Sequence, residues 1–154
     1  MEVPTFVPAA VYREPKAAVD WLTRAFGFEV TMAIEGPDDA PNMCHYEMAI
    51  DGQGRIMIGG EWAEWTRSPG SIGGVNTQSV HVALTGDLDG HCERARGAGA
   101  TIAAEPEDQF YGDRTYRAVD VEGHVWTFSL HVRDVTRAEA EAAIGQRIEA
   151  ASWA

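Results

Sequence analysis

The sequence predicts an α+β fold made of two related βαβββ modules, with a further helix after the second module. Three features support this prediction: the chain repeats itself at a spacing of about 70 residues, its helices end at matching glycines, and its tight turns match. Gly27 and Gly99 each follow a helix-like stretch and lie 72 positions apart. Residues 51–54 and 120–123 lie 69 positions apart, and each separates two strand-like runs. One supersecondary unit is therefore expected twice.

The first module is predicted over residues 5–60. Pro15 suits the first turn of a helix, where its missing amide hydrogen costs nothing, and Gly27 suits the position after the last turn. Val19, Leu22 and Phe26 recur at helical spacing and give this helix an apolar stripe. Runs rich in β-branched and aromatic residues predict four strands, at 6–11, 28–34, 43–50 and 55–58.

The second module is predicted over residues 77–133. Asp87 suits the N-cap of its helix, and the matching strands are predicted at 79–84, 101–103, 115–119 and 124–132. Residues 61–76, rich in Gly, Ser and Pro, connect the modules. Thr136 and Glu139 match a capping box that opens a final helix, predicted over 136–151. The chain, 1–154, is expected to form a single domain.

Composition excludes several classes of function. A chain of 154 residues with 45% hydrophobic residues can bury one sizeable core, and no apolar run is long enough to span a membrane. The first ten residues lack the pattern of a secretory leader, and two cysteines form no disulfide framework, so we expect a cytoplasmic protein. The net charge of −12 has no basic cluster, which argues against nucleic acid and anionic membranes as partners. The acidic field favours a cationic ligand or serves solubility.

A duplicated βαβββ unit of this size resembles the vicinal oxygen chelate superfamily, which includes glyoxalase I, bleomycin-binding proteins and extradiol dioxygenases. The run Gln-Phe-Tyr-Gly-Asp-Arg at 109–114 and the stretch 123–135 are similar to its PhnB-like branch. One departure is Val121-Glu122, where that branch usually has proline and an aromatic residue. The resemblance implies that the modules pair into a half-open barrel around a central cleft and that the protein is a homodimer.

Metal-dependent members of that superfamily take one ligand from the first strand and one from the last strand of each module. The corresponding positions here are Val7 or Pro8, Ile58, His81 and Thr127. Only His81 carries a strong ligand for a divalent metal. We therefore predict no cofactor and no metal site, and His81 is the residue that a divalent metal would use if a site exists.

Alternation along the third strand predicts a polar pair. Tyr46 and Met48 fall on one face, and His45 and Glu47 fall on the other. Under the resemblance this second face lines the cleft. The pair can then act as general acid and base or hold a polar group of a ligand. Equally, it can be the solvated side of a strand that is partly open to water.

Five further residues are predicted to contact a ligand. Trp62 and Trp65 in the connector can stack on a planar or cationic ligand, or pack over the mouth of the barrel. Tyr111 and Arg114 lie on a loop near the cleft, where Arg114 can pair with a ligand carboxylate or phosphate, or with an acidic neighbour. Alternation places Thr127 on the cleft side of the last strand.

The remaining motifs narrow the function to two hypotheses. The sequence contains no nucleophile elbow, P-loop or dinucleotide fingerprint, which argues against hydrolase, nucleotide-binding and dinucleotide-binding functions. His91 is expected on the solvated face of the second helix. The first hypothesis is a protein that binds a small organic molecule in the cleft without a metal. The alternative is a lyase, isomerase or transferase that acts on a small oxygenated substrate. That enzyme would use a metal-free acid–base pair or a weak divalent metal site.

Overall fold

The computed structural model describes residues 4–154, so the first three positions of the predicted domain lie outside the described residues. The first module consists of β1 (Ala9–Tyr12), α1 (Pro15–Phe26), β2 (Glu29–Ile34), β3 (His45–Ile50) and β4 (Gln53–Gly60). The second consists of β5 (Val80–Ala83), α2 (Leu88–Gly97), β6 (Thr101–Asp108), β7 (Asp113–Val119) and β8 (Val125–His131). A short 3₁₀ turn, Pro69–Ser71, lies in the connector, and α3 (Arg137–Ile144) follows the second module.

Each module forms an open four-stranded sheet. The strand orders, β1-β4-β3-β2 and β5-β8-β7-β6, are equivalent in the two modules. The first and last strands of each module pair in parallel, whereas the other neighbours are antiparallel. These features confirm the predicted α+β fold with two βαβββ modules. Among residues 4–154, no helix combines the length and the apolar character needed to cross a membrane.

The helices of the two modules, α1 and α2, begin and end close to where the sequence predicts. Pro15 opens α1, and Gly27 ends it with a φ of 74°, a left-handed conformation that glycine adopts at low cost. The Asp87 side chain accepts a hydrogen bond of 3.0 Å from the Gly90 amide and caps α2. The Trp21 indole of α1 donates a hydrogen bond of 2.8 Å to the carbonyl of Ala98, just after α2. The two helices therefore contact each other directly.

The prediction that His91 lies on a solvated face is wrong. Its ring is half-buried at the contact between the helices, with Nε2 2.8 Å from the Phe26 carbonyl oxygen. Nδ1 lies 2.6 Å from the Tyr116 hydroxyl of β7. Burial lowers the pKa of His91, because the charged imidazolium is poorly solvated there. The polar neighbours in the sequence of α2 concealed this contact, which depends on tertiary packing.

The helix-covered faces of the two sheets share one core. Phe26 at the end of α1 packs against Trp126 and Phe128 of β8, with ring centroids 5.8 and 4.7 Å apart. Tyr46 and Met48 of β3 belong to the same buried cluster. The opposite faces of both sheets point away from this core. We call them the first open face, on the sheet of β1–β4, and the second open face, on the sheet of β5–β8.

The turn between β7 and β8 joins the modules through two buried carboxylates. Asp120 Oδ2 accepts hydrogen bonds from the Tyr12 hydroxyl at 2.6 Å and from the Trp126 indole at 3.0 Å. Glu122 accepts hydrogen bonds from the Arg13 amide at 2.7 Å and from the Ser68 hydroxyl at 2.7 Å. The residue that departs from the PhnB-like pattern therefore holds the start of α1 and the connector.

The C-terminal helix is shorter than the predicted range of 136–151. Its start is as predicted, because Thr136 and Glu139 form a capping box. The helix ends at Ile144, since Gly145 adopts a φ of 66° and its amide donates back to the Glu141 carbonyl. The residues that follow fold back, and the Trp153 indole donates a hydrogen bond of 2.8 Å to the Val135 carbonyl.

Candidate functional site

A crevice of about 350 Å³ lies where the β3–β4 hairpin approaches β5, and we call it the crevice below. Its volume falls in the range of small-molecule sites. Most of its lining is apolar, including Phe6, Phe28, Ile56, Val82 and Trp126. Arg55 and His81 are among its few polar side chains. An apolar wall with a few hydrogen-bond donors suits an organic molecule with one polar end.

The predicted His45–Glu47 pair lies on the first open face, together with a third residue. His45 Nε2 lies 3.6 Å from Glu47 Oε1, and Arg55 Nε lies 3.3 Å from Glu47 Oε2. The buried Tyr46 on the opposite side of β3 confirms the predicted alternation. Arg55 compensates the charge of Glu47 and also lines the crevice. The pair therefore sits beside the crevice without lining it.

The two connector tryptophans pack against each other at the surface. Trp62 and Trp65 are 60% and 75% exposed, and their rings meet edge-on with centroids 4.7 Å apart. Neither side chain lines the crevice. Because most of their area stays in water, they do not fill a site in this chain.

Tyr111 lies in the turn between β6 and β7, whereas Arg114 lies in β7 and not on the predicted loop, and both side chains contact other residues of the chain. Arg114 Nε and Nη2 donate to the Asp89 carboxylate of α2 at 2.8 and 2.9 Å, and Nη1 donates to Asp108 at 3.0 Å. Of the two alternatives for Arg114, the structure shows pairing with acidic neighbours. Hydrogen bonding to this guanidinium lowers the pKa of Asp89. Tyr111 packs edge-on against Phe110 at 5.1 Å.

The strand register identifies the four positions that hold metal in the family pattern. Ile58 pairs with Tyr46 and points into the core, so the prediction that it occupies the last-strand ligand position is wrong. The reason is a register irregularity between Met48 and Ile50, which shifts the count from the turn. Met57 takes the open-face position of β4. In β1 the corresponding residue is Ala9, which pairs with Met57 and directly follows the predicted Val7 and Pro8.

The residues at these positions do not fit a divalent metal. Ala9 pairs with Met57, and His81 pairs with Thr127, so the set offers one imidazole, one hydroxyl and one thioether. Divalent metals in such sites prefer imidazole and carboxylate ligands together. Within residues 4–154, no three His, Cys, Asp or Glu side chains come together as a metal-binding group.

Sequence reasoning missed one charged residue on the second open face. Arg117 of β7 is exposed, and its Nε donates a hydrogen bond of 3.2 Å to Thr127 Oγ1. The signal was available, because Arg117 alternates with the buried Tyr116 and Ala118. The crevice itself was also missed, apart from His81, since it depends on how the two modules meet. Of the predicted site residues, His81 alone lines it.

These features define a class: two-module βαβββ proteins that have a mostly apolar crevice where the modules meet. Residues 7–128 match the family model described as the Glyoxalase/Bleomycin resistance protein/Dioxygenase superfamily. The chain belongs to this superfamily.

Three similar proteins extend this assignment. The uncharacterized protein Rv0887c of Mycobacterium tuberculosis is 30% identical over 148 residues, which cover 94% of this chain and 84% of the relative. The structure of TioX from Micromonospora sp. ML1 is 30% identical, with a TM-score of 0.60 over 84% of this chain and 99% of TioX. TnmS3, an antibiotic binding protein from Streptomyces sp. CB03234, is 18% identical, with a TM-score of 0.62 over 85% of this chain and 98% of TnmS3. The last similarity shows a shared fold.

Proposed function

We propose that this protein binds a small organic molecule in the crevice and needs no metal to do so. The observation that carries the proposal is the crevice itself, whose mostly apolar lining includes the donors Arg55 and His81. The metal positions offer an unsuitable set of ligands, which supports binding by the walls alone. The antibiotic-binding function named for TnmS3 is a further precedent on this fold.

The chemistry of the crevice favours a ligand with an apolar body. Phe6 is 89% exposed and can stack on such a ligand, whereas Phe28 and Trp126 are only 3% and 1% exposed and belong mainly to the core. Arg55 and His81 favour a hydrogen-bond acceptor on the ligand. The net charge of −12 favours a cationic group that remains outside the crevice. The test therefore needs probes that carry a hydrogen-bond acceptor and probes that carry a cationic group.

Filling the crevice tests the proposal. Calorimetric titrations would use naphthalene carboxamide, naphthalene carboxylate and naphthylmethylammonium as probes. Ala83 is exposed and lines the crevice, so A83W should abolish binding of the probes that the wild type takes up. A103W adds the same side chain at an exposed position of β6 and should leave binding unchanged. Equal affinities in A83W and the wild type would show that the ligand does not occupy the crevice.

We also propose that the protein is a homodimer, that it resides in the cytoplasm and that it is a member of the PhnB-like branch. Ile34 on the first open face is 56% exposed, and a second copy would cover such apolar surface. Cys44 and Cys92 are both unpaired, as expected in a reducing compartment. The signature at 109–114 supports the PhnB-like branch. Sedimentation across a dilution series tests the dimer, and a monomer at every concentration would exclude it.

A second candidate function is an acid–base lyase, isomerase or transferase that uses His45 and Glu47. The 3.6 Å contact between these side chains, beside the crevice, favours it. Proton exchange of small hydroxy and oxo acids in heavy water, followed by NMR, would reveal such activity. E47Q should abolish the exchange, and a chelator should leave it unchanged. If the chelator or H81A abolishes the exchange instead, the activity belongs to a weak metal site at His81.

A further inference from the structure

We infer that the second open face carries an anion-binding row, formed by His81, Thr127 and Arg117, which holds a carboxylate of the ligand. The inference rests on the proposed small-molecule function and names the class of its ligand, an organic acid with an apolar body. The row begins at the crevice, because His81 is part of the crevice lining. A ligand seated in the crevice therefore has the row beside it.

Strand pairing brings the three side chains of the row together. His81 of β5 lies opposite Thr127 of β8, and Thr127 lies opposite Arg117 of β7. Residues directly opposite each other project from the same face of a sheet. Neighbouring strands are about 4.8 Å apart, so the row spans about 10 Å from the crevice to Arg117. A bicyclic aromatic acid is long enough to bridge this distance.

Arg117 is the charged member of the row, and its charge is not compensated within the described chain. Its Nε is held by Thr127 Oγ1 at 3.2 Å, which orients the guanidinium. Within residues 4–154 this bond is the hydrogen bond of the Arg117 side chain, and its terminal nitrogens contact no acceptor. The chain has 24 acidic and 12 basic residues, so intramolecular partners for an arginine are abundant. A guanidinium left with two free donors matches the two oxygens of a carboxylate.

The equivalent row on the first open face has the opposite chemistry. Its members are Ala9, Met57 and Glu47, and the position of Arg117 is taken by Glu47. Arg55 already pairs with Glu47 at 3.3 Å. Anion binding is therefore specific to the second face. If two copies paired through these open faces, Glu47 of the second copy would compete with the ligand for Arg117.

The test compares naphthalene carboxylate with naphthalene carboxamide, which has nearly the same shape and no charge. A hydrogen-bonded ion pair should make the carboxylate bind about tenfold more tightly to the wild type. R117Q should reduce the carboxylate-to-amide affinity ratio to about one and leave amide binding unchanged. R117K should retain part of the carboxylate-to-amide affinity ratio, because lysine keeps the positive charge but lacks the paired donors of the guanidinium. R24Q removes an exposed arginine of α1 and should leave the ratio unchanged.

The outcomes separate this inference from the function on which it rests. If the wild type does not prefer the carboxylate, or R117Q keeps the preference, the anion-binding row is wrong. The proposed function would still hold in that case if the wild type binds the amide and A83W does not. If no probe binds, both proposals are overturned. If E47Q and R117Q each weaken self-association in sedimentation, Arg117 belongs to a contact between copies, and the inference is also overturned.

Discussion

The two modules place a tight turn between their last two strands, and the turns have opposite surroundings. In the first, residues 51–54, Asp51 is exposed and adopts a positive φ of 49°. In the second, residues 120–123, Asp120 is only 7% exposed. Its carboxylate accepts four hydrogen bonds, from two side chains and the amides of Glu122 and His124. Of these two equivalent aspartates, Asp51 is exposed to water and Asp120 is buried.

The difference shows how a repeated unit divides its tasks. The second turn joins the modules, because Glu122 and Asp120 bind β1, the start of α1 and the connector. The first turn borders the crevice, where Gln53 and Gly54 form part of the lining. Stability is therefore concentrated at one turn, and access for a ligand is left at the other. Paired substitutions at equivalent positions test this division.

The largest expected effect comes from Asp120. D120N should reduce the free energy of unfolding by about 3 kcal/mol, because the new amide opposes the buried donors of Tyr12 and Trp126. D51N is the matched control and should change stability by less than about 0.5 kcal/mol, since Asn tolerates the left-handed conformation. Urea denaturation of both variants measures the difference. Similar losses at the two positions would contradict the division of tasks.

Glu122 is expected to have the next largest effect, and its effect depends on pH. Burial raises the pKa of Glu122, but hydrogen bonds from Ser68 and from the Arg13 and Glu14 amides outweigh it, so the net pKa lies below the ordinary value of 4.5. A lowered pKa contributes stability above the ordinary value, and this stability is lost as the pH falls through the folded-state pKa. E122Q should therefore cost about 2 kcal/mol at neutral pH.

The cost of E122Q should shrink as the pH falls below about 4.5, because the carboxyl of the unfolded wild type takes up its proton before the carboxyl of the folded protein does. Unfolding by urea at several pH values checks this trend. Q53A changes the equivalent residue of the exposed first turn and should show neither the cost nor the pH dependence. A constant gap between E122Q and the wild type across the acid range would show that the charge of Glu122 is not responsible.

Local signals in the sequence predicted most of the fold. Gly27 and Asp87 bound their helices as expected, because a cap depends on the residue's own conformation and hydrogen bonds. The alternation of His45 and Tyr46 was also predictable, since a strand has a period of two. These features need no knowledge of the rest of the chain. The repeat then extended each local prediction to the second module.

Features that depend on contacts between modules were not predictable in the same way. His91 was assigned to water, although the end of α1 buries it. Ile58 was given the last-strand ligand position because a count from the turn ignores a register irregularity. Arg114 was expected to pair either with an anionic group of the ligand or with an acidic neighbour, and only the packing of α2 beside β7 showed that it binds Asp89. The candidate site lies at such a contact, so its lining was largely missed.

The smallest expected effect comes from removing the side chain of Asp51. A non-glycine residue in the left-handed conformation costs roughly 1 kcal/mol, and the flexibility of glycine in the unfolded chain offsets about the same amount. D51G should therefore leave the free energy of unfolding within about 0.5 kcal/mol of the wild type. Urea denaturation beside D120N measures it under one set of conditions. A loss above about 2 kcal/mol would show that the first turn also holds the fold together, because strain relief and chain entropy cannot produce a loss of that size.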